Sequence, residues 1–200
     1  MKNIVFDLGG VLFARDKSKC TPELLEFFSF LRAPRMPLFW EEYDRGTSTL
    51  EEVTATISEM TGRPVETCAA VLRLAVDLQE PVKPTERLVG DLKAAGYRLY
   101  VLSNMSREFI DFLRRFPVYG LFDGEVVSCE EHTVKPEPRI YEILLERYGL
   151  TPSETLFIDD REMNIEAAAA LGIRGFVFDH RDPDAACDAL RRRLLQSDCI

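Results

Sequence analysis

The stretch Asn3-Ile4-Val5-Phe6-Asp7-Leu8-Gly9-Gly10-Val11 decides the reading of the fold. Its apolar run, residues 4–8, is too short for a helix and breaks at a glycine pair, the pattern of a buried strand that ends in a turn. Three more runs share this form, at residues 99–103, 156–159 and 175–178, with a weaker one at 124–128. Between them lie patterns with helical spacing. Residues 85–95 stop at Gly96, 108–116 stop before Pro117, 138–148 stop at Gly149 and 162–171 stop at Gly172. Glycine just past a helix is a common stop signal, because it adopts the left-handed backbone without a side-chain penalty. Strand alternating with helix predicts an α/β fold, a Rossmann-like parallel sheet with helices on both faces.

Residues 15–84 break that rhythm. They hold helical patterns at 22–31, 49–60 and 64–77 and no convincing strand, and Pro81 and Pro84 mark the return to the alternating pattern. They read as a small helical domain inserted after the first strand, which leaves 1–14 and 85–200 as the core domain. Residues 182–195 read as a surface helix whose Arg191-Arg192-Arg193 run is solvated.

Composition narrows the function. A formal net charge of -9 over 200 residues opposes nucleic-acid binding, which needs a basic face. A small phosphorylated metabolite needs only a local positive pocket. Asp7 interrupts any apolar signal core, and no stretch reaches the roughly 18 apolar residues of a membrane span. Cys20, Cys68, Cys129, Cys187 and Cys199 are scattered and odd in number, with no CxxC pair. They read as reduced thiols of a cytoplasmic protein rather than a disulfide or zinc framework. Oligomeric state has no signature here.

Open parallel sheets bind ligands beyond the carboxyl ends of their strands. At those ends stand Asp7, Ser103-Asn104 and Asp159-Asp160, while Lys135 lies in the loop Val134-Lys135-Pro136-Glu137-Pro138. Singly, each has a plain structural reading as a cap, a turn or a solvated loop residue. Together, on the ligand side, they suit phosphoryl chemistry. Mg²⁺ takes oxygen ligands, which Asp7 and Asp160 can supply. A carboxylate such as Asp7 can attack phosphorus. Lys135 offers positive charge, Ser103 and Asn104 can contact phosphoryl oxygens, and Gly9-Gly10 lets backbone approach the ligand.

The chain resembles the haloacid-dehalogenase-like (HAD) hydrolase superfamily, in its capped phosphatase branch. The matching pieces are Phe6-Asp7-Leu8-Gly9-Gly10-Val11-Leu12, Val101-Leu102-Ser103-Asn104, Lys135-Pro136-Glu137-Pro138-Arg139-Ile140-Tyr141 and Phe157-Ile158-Asp159-Asp160 through Ala168. The Asp-Leu-Gly form is similar to the subgroup containing bacterial α-D-glucose-1-phosphate phosphatases. The resemblance implies a Mg²⁺-dependent phosphatase with an aspartyl-phosphate on Asp7. It also implies metal ligation by Asp7, Asp160 and the Gly9 carbonyl, with residues 15–84 as cap. Asn164 stands where many relatives carry an acid that supports the metal or the lysine.

One departure matters. Most phosphatases of this family carry a second Asp two residues after the nucleophile, as general acid and base, where this chain has Gly9. A positioned acid or base contributes about 10²–10⁴-fold. Its loss favours substrates with good leaving groups, such as sugar 1-phosphates or acyl phosphates. It also predicts a burst followed by slow hydrolysis of the phosphoenzyme. Two rival readings follow: a metal-independent dehalogenase, which the Asp159-Asp160 pair opposes, and a phosphometabolite-binding module without turnover. His132 and His180 read as surface or capping residues, and Phe39, Trp40 and Tyr43 as core of the cap. Arg45-Gly46 offers an arginine that could reach over the site, against a plain surface role.

Overall fold

The computed structural model describes residues 1–32 and 36–196. Cys199 lies outside them. Five parallel strands form the central sheet in the order β5-β4-β1-β6-β7. They are β1 Asn3–Phe6, β4 Arg98–Ser103, β5 Gly124–Val127, β6 Thr155–Asp159 and β7 Arg174–Val177. β1 is central, with Phe6 opposite Val101 of β4 and Ile158 of β6. Every residue of β1 is buried. Ile4 and Phe6 join the core on one face of the sheet and Val5 the core on the other. A strand covered on both faces must be apolar throughout, which explains the uninterrupted runs in the sequence.

The connecting helices match the expected positions to within a few residues. They are α5 Lys83–Ala94, α6 Arg107–Leu113, α8 Pro138–Tyr148, α9 Glu162–Ala170 and α10 Pro183–Leu195. α6 ends three residues early because Phe116, which precedes Pro117, takes an extended backbone. Between β5 and α8, the single turn α7, Ser128–Glu131, was not anticipated.

The segment between β1 and α5 differs from expectation in two ways. It contains two strands, β2 Phe13–Arg15 and β3 Gln79–Pro81, paired antiparallel where the chain leaves and re-enters the core. Three residues each, partly exposed and including Gln79 and Glu80, they carry no readable alternation. It also contains α2, Leu38–Arg45, which ends at Gly46 in the left-handed conformation. The other helices are α1 Pro22–Phe27, shorter than anticipated, α3 Leu50–Thr61 and α4 Val65–Asp77. Thr49 and Glu52 form a reciprocal cap at the start of α3. These helices share their own apolar cluster, built on Phe27, Phe28, Trp40, Tyr43, Ile57 and Leu72.

No helix among the described residues is long and apolar enough to cross a membrane. Cys20, Cys68, Cys129 and Cys187 are free thiols. Arg191 is not simply solvated, since it pairs with Asp91 and Asp188.

Candidate active site

Because β1, β4 and β6 are parallel and in register, their carboxyl ends lie side by side, which brings Asp7, Ser103 and Asp159 together. Asp7 is 8% exposed. Its Oδ1 accepts the Ser103 hydroxyl at 2.8 Å and the Leu8 N–H at 2.7 Å, and lies 2.9 Å from Lys135 Nζ. The Lys135 ammonium also donates to Asp159 Oδ2 at 2.7 Å and to the Leu102 carbonyl at 3.1 Å. Its backbone is held from both sides by the Asn104 amide, at 2.9 Å and 2.7 Å.

The two adjacent acids at the end of β6 are used differently. Successive side chains of an extended chain point to opposite sides. Asp159 is fully buried and accepts from Lys135, from the Arg161 N–H at 2.8 Å and from the Asn164 amide at 3.0 Å. Asp160 is partly exposed, with Oδ2 3.3 Å from His180 Nδ1. Gly10, at φ +78°, runs so close that a Cβ there would lie 2.7 Å from Asp160 Oδ2.

The electrostatics are those of an acidic pocket with too little positive charge. One carboxylate oxygen from each of Asp7, Asp159 and Asp160 lies within 4.8 Å of the others, a grouping able to hold a metal ion. Among the described residues, Lys135 is the cation that pairs directly with Asp7 and Asp159, while Asp160 faces His180 and, from farther off, Arg161. Burial raises the Asp7 carboxyl to about 7 against the pull of Lys135, and Asp159 and Asp160 add to the rise. Asp160 is raised too, by burial and by Asp159. For Lys135, burial acts to lower the value, but Asp159 and Asp7 outweigh it and the ammonium is held above its ordinary range.

A cavity of about 650 Å³ opens over this cluster, lined from the core by Asp7, Gly9, Lys135 and Asp160 and from the helical segment by Trp40 and Asp44. The expected residues fall into place unequally. Asn104 lines the cavity, yet its amide holds the Lys135 backbone. Ser103, expected to meet a phosphoryl oxygen, is fully buried and gives its hydroxyl to Asp7. Asn164 lines the cavity and binds Asp159.

Arg45 does not reach over the site. It forms two bonds to Glu137, at 2.9 Å and 2.7 Å, and one to Glu41 at 2.8 Å. Trp40 and Tyr43 are buried in the insert's cluster, against which Phe39 packs. His132 is the left-handed residue that ends α7, and His180 stands at the cavity against Asp160. Sequence reasoning missed Asp44 and Arg161, both in the cavity lining. Asp44 sits among Glu41, Glu42 and Arg45 in a charged run where nothing in the sequence singles it out.

Comparison with known proteins is consistent with this arrangement. A family model described as haloacid dehalogenase-like hydrolase matches residues 1–172. The sesquiterpene phosphatase astK of Aspergillus oryzae is 29% identical over 192 residues, 96% of this chain and 95% of that protein. The D-ribitol-5-phosphate phosphatase of Bacteroides thetaiotaomicron is 28% identical over 195 residues, covering 88% and 91%. Among solved structures, the HAD family enzyme BT-2542 of the same bacterium, crystallised with magnesium and inorganic phosphate, is 28% identical. It superposes with a TM-score of 0.69 over 90% of this chain and 95% of that one.

Proposed function

The chain belongs to the haloacid dehalogenase-like hydrolase family, and from that membership we propose that it is a magnesium-dependent phosphatase in which Asp7 attacks the phosphorus of a small phosphorylated metabolite. The observation that carries this reading is the Asp7 carboxylate. Ser103, Leu8 and Lys135 all contact Oδ1, which fixes the carboxylate in place, and Oδ2 carries none of these contacts. A nucleophile held by three donors loses little orientational freedom on the way to the transition state.

The donor set suits magnesium: hard carboxylate oxygens in a pocket where three acids outnumber one ammonium. Asp7, Asp160 and the Gly9 carbonyl would hold the ion, since Asp159 is already occupied by Lys135, Asn164 and the Arg161 N–H. Bound there, magnesium supplies charge neutralisation for the phosphoryl group. Lys135 favours the ionised form of Asp7 against the opposing effect of burial and adds positive charge beside the phosphoryl oxygens. Attack by Asp7 gives an aspartyl-phosphate and the free alcohol, and water then releases phosphate.

Residues 15–84 act as the cap, in support of which Trp40 and Asp44 reach the cavity from α2. A cap of this kind excludes water from the strand ends and selects the organic group. The relatives named for sesquiterpene and ribitol phosphates bracket the substrates to try, with sugar phosphates between them. The free thiols support a cytoplasmic location.

The test is a screen of sugar, polyol, prenyl, nucleotide and acyl phosphates with and without Mg²⁺, together with acid-quench trapping of phosphoenzyme. Mg²⁺-dependent release of phosphate is expected. Phosphate release that survives excess chelator would refute the magnesium dependence, and halide release from 2-haloacids under chelator would instead favour a metal-independent dehalogenase. Ligand-induced thermal stabilisation without turnover would favour a binding module.

A further inference from the structure

The phosphatase reading leaves one role unfilled, that of the acid and base two residues after the nucleophile. A Cβ built at Gly9 meets only Met105 Cε, at 4.0 Å, so the position opens on space. The helical insert brings two acids to the same cavity, Glu41 and Asp44. Glu41 is neutralised by Arg45 at 2.8 Å. Among the described residues Asp44 has no cation within ion-pair distance, and the backbone N–H of Ser106 favours the ionised form of its carboxyl.

The chain around Asp44 is fastened to the core residue by residue. The Tyr43 hydroxyl donates to Glu108 at 2.6 Å. The Asp44 carbonyl accepts the Ser128 hydroxyl. Arg45 is bound twice by Glu137. Gly46, at φ +74°, packs against the Cys129 backbone so closely that a Cβ would collide with it. The end of α2 is thus held on the core, and the neighbouring Met105 N–H also binds Ser128. Such anchoring is what a group needs if it is to be held in reacting geometry rather than carried on a loose lid.

We infer that Asp44 is the acid–base residue of this phosphatase, supplied by the cap in place of the side chain missing at Gly9. The inference rests on the phosphatase reading above. In the first step the Asp7 carboxylate bonds to phosphorus as the P–O bond to the leaving group breaks, the electron pair of that bond goes to the leaving oxygen, and the Asp44 carboxyl proton goes with it to give the alcohol. In the second step the Asp44 carboxylate takes a proton from water as the water oxygen bonds to phosphorus. The P–O bond to Asp7 breaks, its electrons return to the Asp7 carboxylate, and Asp44 is again protonated. The charges around it suit both states. Burial raises the carboxyl to about 7; Arg161 and the Ser106 N–H oppose the rise, Asp7 adds to it, and Lys135 opposes it more weakly.

The test compares p-nitrophenyl phosphate with benzyl phosphate, esters of similar size and very different leaving groups, with Mg²⁺, on wild type, Asp44→Asn and Asp44→Glu. Wild type should turn over both without a burst. In Asp44→Asn, benzyl phosphate hydrolysis should fall by about 10²–10⁴-fold. The first turnover of p-nitrophenyl phosphate should stay within about tenfold, followed by a burst near one equivalent and slow release from a trappable phosphoenzyme. The burst expected from Gly9 alone then belongs to the variant. Asp44→Glu should recover part of the benzyl activity, and Asp44→Ser, read by the same ratio, guards against a defect peculiar to the amide. A burst in wild type, or equal losses for both esters in the variants, would overturn the assignment. Wild type inert toward both esters and toward the wider panel would overturn the phosphatase reading and this one with it.

Discussion

Replacing Lys135 by Met removes a charge while keeping most of the buried stem. The Lys135 side chain is 1% exposed, between Asp7 at 11% and Asp159 at 0%. Its ammonium bonds Asp7 at 2.9 Å, Asp159 at 2.7 Å and the Leu102 carbonyl at 3.1 Å. Removing one partner of a buried ion pair costs about 3–5 kcal/mol, because the remaining charge is left unpaired. In a domain of this size each kcal/mol lowers Tm by roughly 2–4 °C, so a fall of about 6–20 °C is expected at pH 8.

The pH dependence has a definite sign. The Asp7 carboxyl is already raised to about 7 by burial with Lys135 present, and losing that ammonium raises it further. A carboxyl whose folded value exceeds its unfolded value opposes folding at high pH, and the opposition disappears as pH falls and the group takes up its proton. The penalty of Lys135→Met should therefore shrink between pH 8 and pH 6. Magnesium, if it binds the same acids, should offset part of the loss. Urea unfolding of wild type and variant at pH 6, 7 and 8, with and without Mg²⁺, measures all three effects. A loss below about 1 kcal/mol at pH 8, or a penalty that grows as pH falls, would show that Lys135 does not neutralise this cluster.

Asp7→Asn should abolish turnover and leave the fold intact, since the amide cannot form the covalent intermediate; activity above a trace in protein checked by mass for deamidation would refute the nucleophile. Asp160→Ala should raise the Mg²⁺ concentration needed for half-maximal activity with little loss of Tm. Asp159→Ala, which strips partners from Lys135 and Asn164, should chiefly lower stability, by about 3–5 kcal/mol; the reverse pattern in the two titrations would exchange their roles. Gly10→Ala forces a Cβ at φ +78° to within 2.7 Å of Asp160, so it should cost about 1–2 kcal/mol in backbone strain and raise the Mg²⁺ requirement alongside, both read from melting curves over a metal titration.

How much of this was legible before folding varies by element. β1, β4 and β6 stood out because strands covered on both faces are apolar throughout, whereas β5 and β7, only partly buried at the edges of the sheet, showed as short apolar runs. β2 and β3 did not, because a three-residue ribbon half open to water needs neither apolar continuity nor alternation. α2 escaped notice for a related reason: its apolar face is short, and Glu41, Glu42, Asp44 and Arg45 dominate its composition. The same charged run concealed Asp44 and suggested Arg45 instead. Packing sent Arg45 to Glu137 and Glu41 and left Asp44 at the cavity.

The sequence by itself determined the order of the strands and helices and which chemical groups stand at the strand ends, because periodicity, turn residues and residue type are local properties of the chain. Only the tertiary structure decided how those groups pair. Asp159 turns to Lys135 and Asn164 while its neighbour Asp160 turns to His180, and Ser103 gives its hydroxyl to Asp7 across 96 positions of sequence. Arg45 reaches Glu137 across 92. Such choices are set by a few ångströms between side chains on separate elements. Hydrogen bonds and ion pairs change steeply over that range, and no local pattern encodes it.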